Sequence, residues 1–102
     1  MKKTYFKLEE SPIQKNKYLI LPIHNNLPIS GTNGSYALLP ARLLSLSYAQ
    51  YLRFCRDVYG ASIIGKKHFY PIAYFDLNDN SKELVELLNK RAEEALYIKE
   101  EV

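Results

Sequence analysis

Apolar residues recur along this chain with two different periods, and the places where one period gives way to the other outline its elements. Thr4 to Leu8 and Lys17 to Ile23 are short runs rich in aromatic and aliphatic side chains, separated by a polar stretch containing Pro12. That pattern predicts two strands joined by a loop and paired antiparallel. His24 to Pro40 is too long for a structureless connection in so short a chain. Asn33-Gly34 favours a turn that needs positive φ, and Leu27 and Ile29 before it mirror Tyr36 and Leu38 after it, so a small hairpin is expected there.

From Pro40 the period changes. Pro suits the first turn of a helix, where its missing N–H has no intrahelical partner. Leu44, Tyr48, Tyr51, Leu52, Cys55 and Val58 follow at spacings of three and four, and Gly60 offers a left-handed stop after Tyr59. One continuous helix is therefore predicted over this stretch. Ala61 to Ile64, a turn at Gly65-Lys66-Lys67, and His68 to Phe75 read as a second strand pair, with Pro71 marking an edge or a bulge. Alternation puts Phe69, Ala73 and Phe75 on one face and His68, Tyr70, Ile72 and Tyr74 on the other, and only one set is expected to meet the helices. Asn80 with Glu83 resembles a capping box, and Leu84, Val85, Leu88, Ala92, Ala95 and Leu96 form an apolar stripe, which predicts a last helix over 81–99. The whole chain, residues 1–102, reads as one α+β domain in the order β-β-(hairpin)-α-β-β-α. Its expected layout is a small antiparallel sheet of four to five strands with two amphipathic helices packed on one face.

Composition changes this picture little. Hydrophobic residues make up 47% and charged residues 25%, which is ordinary for a folded protein and unlike a disordered one. Nine Tyr and four Phe with no Trp tilt the aromatic content toward rings with a polar tip, which suit half-buried and interface positions. Cys55 is the only cysteine, so no intrachain disulfide can form, and a reducing, cytoplasmic setting is expected. Lys7, Glu9 and Glu10 occupy the place of a signal peptide's apolar segment, and Pro and Gly interrupt the long uncharged run 18–41; neither export nor membrane insertion is expected. Charge is segregated. Residues 1–78 carry seven Lys and three Arg against Glu9, Glu10, Asp57 and Asp76, a net +6, while residues 79–102 carry four basic and seven acidic groups, a net −3.

No motif for catalysis or for a cofactor emerges. Gly60 to Lys66 has the letters G-x-x-x-x-G-K of a phosphate-binding loop. Lys67 stands where the Mg²⁺-binding hydroxyl belongs, however, and a helix precedes the segment where a strand should. His24, His68 and Cys55 give no metal-ligand spacing. Cys55 falls on the apolar face of the predicted helix, where a thiol is a buried hydrophobe with a raised pKa. The remaining feature is basic: with 100° per residue, Arg42, Arg53 and Arg56 fall within an arc of about 60° on the polar side of that helix. Lys66, Lys67 and His68 lie in the turn beyond, and Tyr70 and Tyr74 on the adjoining strand could stack on bases if their face is open. The plainer reading is that three arginines solvate the outside of a helix.

Three functions follow, in order. The first is a non-enzymatic protein-interaction module such as an adaptor, regulator or inhibitor, from the lack of catalytic motifs, the tyrosines and the bipolar charge. The second is nucleic-acid backbone binding through Arg42, Arg53, Arg56, Lys66 and Lys67, with His68, Tyr70 and Tyr74 alongside. The third is a small hydrolase or nuclease assembled around His68, Asp76 and Tyr70. No cofactor is expected in any of them.

Overall fold

A computed structural model describes residues 4–23, 26, 38–65 and 71–100, side chains at Leu38 and beyond Ala95 excepted. Its elements are β1 (Phe6–Glu10), β2 (Tyr18–Pro22), α1 (Leu38–Leu43), α2 (Tyr48–Tyr59), β3 (Ser62–Ile64), β4 (Ile72–Tyr74) and α3 (Asp79–Glu100). The chain is thus a mixed helix-and-strand protein. Among the described residues its strands form two two-stranded antiparallel sheets, β1-β2 and β3-β4, in place of the single sheet of four to five strands expected. The predicted hairpin at 27–37 lies outside the described residues, and its last expected strand residue, Leu38, opens α1 instead.

In β1-β2, Leu8 sits opposite Ile20 and Phe6 opposite Pro22. The two-residue period buries Phe6 and leaves Lys7, Glu9 and Glu10 in water. Ser11 closes the intervening loop, its hydroxyl accepting the N–H groups of Ile13 and Gln14 at 3.1 and 3.0 Å. Asn16 supplies the positive φ there, a conformation that asparagine tolerates. The two sheets touch at one bridge, where Tyr18 and Phe75 exchange backbone hydrogen bonds of 2.8 Å in both directions.

The long first helix expected from the sequence is two helices. After Leu43 the chain makes a Schellman turn: Ser45 N–H donates to the Arg42 carbonyl at 3.0 Å and Leu46 N–H to the Ala41 carbonyl at 2.9 Å. Ser45 takes the left-handed conformation, φ 57°, that glycine usually fills. Ser47 then starts α2 with a complete capping box, its hydroxyl accepting from Gln50 N–H and the Gln50 side chain accepting from Ser47 N–H. Gly60, at φ 67°, ends α2 as predicted.

The cap of α3 also differs from expectation. Asn78, not Asn80, caps the helix: its Oδ1 accepts from Ser81 N–H at 3.0 Å, and Ser81 Oγ accepts from Asn78 N–H at 3.1 Å. Ser81 is buried, and its hydroxyl is also within 2.8 Å of the Asp76 carbonyl, so it belongs to the turn and not to the solvent. From there Leu84, Leu88 and Ala92 present the predicted stripe to a core shared with Tyr5, Phe6, Ile20, Leu39, Tyr51, Cys55, Ala73 and Phe75. Asn89 on the same helix holds β1 in place, accepting from Tyr5 and Phe6 N–H at 2.7 Å each and donating to the Phe6 carbonyl at 3.2 Å.

Candidate interaction surface

The break at Ser45–Ser47 changes what the arginines can do together. Arg42 lies in the last turn of α1, whereas Arg53 and Arg56 lie on α2, so the single row of three predicted for one helix is not formed. Arg53 and Arg56 remain one turn apart and neighbours on a helix surface. All three side chains are exposed. Arg56 pairs with Asp57 at 3.3 Å in water, while Arg42 and Arg53 form no ion pair among the described residues. Arg42 and Arg56 each face the negative end of their own helix dipole, a local reason for a cation at those two positions that needs no partner.

Of the other expected contact residues, Lys66, Lys67, His68 and Tyr70 lie outside the described residues. Tyr74 is buried, only 4% exposed, so its ring offers no open face for a base to stack on. Alternation predicts that one face of this strand stays open. Instead Ala73, Tyr74 and Phe75, which point to both faces, are all buried. Asp76, named for acid–base chemistry, is exposed and ion-paired with Lys17 at 2.7 Å.

Burial on α2 also redistributes the apolar residues. Tyr51 and Cys55 face the core, but Val58, expected on that side, is 54% exposed in the last turn. One turn earlier on the same side stands half-buried Phe54, whose ring meets Tyr59 edge-on at 5.3 Å with an interplanar angle of 73°. Exposed Val58 and the outward parts of half-buried Phe54 and Tyr59 give this end of α2 an apolar and aromatic patch, on a helix that also carries the exposed Arg53 and Arg56. Burial raises the pKa of the Tyr59 hydroxyl first, and the nearby Glu83 carboxylate on α3 raises it further. Sequence periodicity missed this patch because it counted Val58 with the core, although its place two residues before Gly60 marks it as a helix end, where burial lapses.

Beneath the patch, Cys55 is fully buried and burial pushes its thiol up to about 11, partly offset by a hydrogen bond with the Tyr51 hydroxyl. Tyr51 is raised well above the ordinary tyrosine value, by burial first and then by Cys55. A thiol so placed is the inert core residue that the sequence suggested. No group of three or more His, Cys, Asp or Glu among the described residues is arranged to hold a metal ion, and none of the described helices is long and apolar enough to cross a membrane. No protein-family model matches the chain, and neither the curated proteins nor the solved structures contain a significant match to it.

Proposed function

We propose that this protein is a non-enzymatic, cytoplasmic interaction module that binds another protein through the C-terminal end of α2. One observation supports this reading: half-buried Phe54 and Tyr59 and exposed Val58 leave apolar and aromatic surface at a helix end, on a helix that also carries the exposed Arg53 and Arg56, with the Glu83 carboxylate near Tyr59. Aromatic and arginine side chains are the residues that most often dominate protein interfaces, and nearby groups of both charge signs suit a partner that carries both. A polyphosphate backbone, in contrast, gains from Arg53 and Arg56 but is repelled by Glu83.

Nucleic-acid binding is the second reading, favoured by the exposure of Arg53 and by the closeness of Arg56. The two separate cleanly. Affinity capture with the wild-type chain as bait should recover a discrete protein that Val58→Asp no longer recovers, since a carboxylate in the patch must be desolvated on binding. Under the nucleic-acid reading, a gel shift with short duplexes should weaken steeply with salt and vanish in the Arg53→Glu, Arg56→Glu double variant. Capture unaffected by Val58→Asp, together with such a shift, overturns the protein-binding proposal.

A further inference from the structure

The seam between the two sheets holds an apolar cleft. In β1-β2, Ser11 N–H bonds the Lys17 carbonyl and Ile23 N–H bonds the Tyr5 carbonyl. Backbone groups alternate sides along a strand, so Leu19 and Leu21 also direct theirs at β1, and Tyr18 and Ile20 direct theirs the other way, toward β4. Tyr18 uses its pair on Phe75. Counting back along β4, Phe75 and Ala73 face β2, while Tyr74 and Ile72 face β3. Ile20 and Ala73 therefore stand opposite one another, two residues along from the bridge, yet the bridge does not continue to them and no ladder forms.

What lies there instead is a cleft of about 190 Å³, lined by Leu19 to Leu21, by Ile72, Ala73 and Phe75, and by Tyr51 of α2. Ile20 and Ala73 are each only 6% exposed, and the N–H and C=O groups that they turn toward each other meet an apolar lining without a strand partner among the described residues. Buried backbone groups in that state are rare in native proteins. An occupant that satisfies them must bring both an acceptor and a donor. It must also be uncharged, because no charged side chain among the described residues lines the cleft to replace an ion's hydration. The rest of it must be apolar and small, since a cavity of roughly 150 Å³ holds a benzene ring.

We propose that this cleft binds a small neutral carboxamide. The amide joins the backbone of Ile20 to that of Ala73, its carbonyl accepting one N–H and its NH₂ donating to the facing C=O. An apolar body of about one ring lies against Leu19, Leu21, Ile72 and Phe75. This site is separate from the α2 patch and does not depend on it.

Benzamide is the probe. In ¹⁵N-labelled protein it should shift the Ile20 and Ala73 amides saturably and slow the exchange of at least one of them about tenfold. Benzene, which lacks the amide, and benzoate, which is charged, should each bind more weakly. Ala73→Leu fills the cleft and should abolish the response. Because Ala73 is buried, Leu19→Phe on the half-buried wall serves as a second blocking variant, scored only if its circular dichroism matches the wild type. The proposal is overturned if benzamide produces no shift, if benzoate binds as well, or if Leu19→Phe and Ala73→Leu bind as the wild type does. It is equally overturned if both amides are already protected in the free protein, which would mean that the ladder closes by itself.

Discussion

Asn89 gives β1 the hydrogen bonds that a neighbouring strand would otherwise supply at Tyr5 and Phe6, and it does so from a helix. Leaving two part-buried N–H groups without acceptors carries a desolvation cost, so Asn89→Ala should lower stability by about 2 kcal/mol, read as a fall in the urea midpoint. Nothing in the sequence marks Asn89 for this work. It lies on the polar flank of an apolar stripe, where an asparagine ordinarily meets water, and only the contact across 83 or 84 residues gives it a role. Cys55 is the opposite case, since its place among apolar positions already predicted a buried, protonated thiol. In the folded chain it holds its proton up to about pH 11, against 9.0 for an ordinary thiol, and Tyr51 is shifted in the same direction. The folded state thus binds more protons than the unfolded state once the pH passes 9. Stability contributed by the neutral Cys55 is complete below pH 9 and is lost as the pH rises toward 11, at up to about 1.4 kcal/mol per pH unit for each proton. Denaturation curves between pH 8 and 11 check this, and Cys55→Ala should flatten the fall below pH 10.

Helix boundaries show where reading a pattern succeeds and where it stops. The apolar spacing from Leu44 to Cys55 runs unbroken through Ser45–Ser47, so periodicity alone sees one helix. The break is written in hydrogen bonds, a Schellman turn closed by Ser45 and a capping box opened by Ser47. Glycine at position 45 would have announced it. Serine at φ 57° conceals it and bears the steric penalty of a Cβ in the left-handed region. Ser45→Gly should therefore raise stability by about 1 kcal/mol in thermal or urea unfolding, and a loss of stability would show that the turn is not built as described. The same logic explains the α3 cap. Asn80 and Glu83 have the right spacing for a box, but Asn78 and Ser81 share it, and the second pair forms because Ser81 can also donate to the Asp76 carbonyl in the turn. The bounds of β1, β2 and β3 and the end of β4 were legible to within two residues. Their assembly was not, because alternation fixes which side of a strand a residue occupies and says nothing about how far two pairs of strands splay beyond a shared bridge.

Taken together, the elements segregate chemistry as well as charge. The basic excess of residues 1–78 does not gather into one row of arginines, since the turn at Ser45 assigns Arg42 to a different helix from Arg53 and Arg56. The acidic last helix comes close enough for Glu83 to act on Tyr59. Beside Glu83 lies the Phe54, Val58 and Tyr59 patch, and the proposed function depends on that patch being where a partner docks. Site-specific photo-crosslinking tests it most directly: a photo-reactive phenylalanine analogue at position 58, activated in the cells that express the chain, with the same analogue at exposed Glu86 on α3 as the control. A discrete protein adduct at position 58 that is absent at 86 is the predicted result. Adducts with nucleic acid alone, or no difference between the two positions, would contradict it.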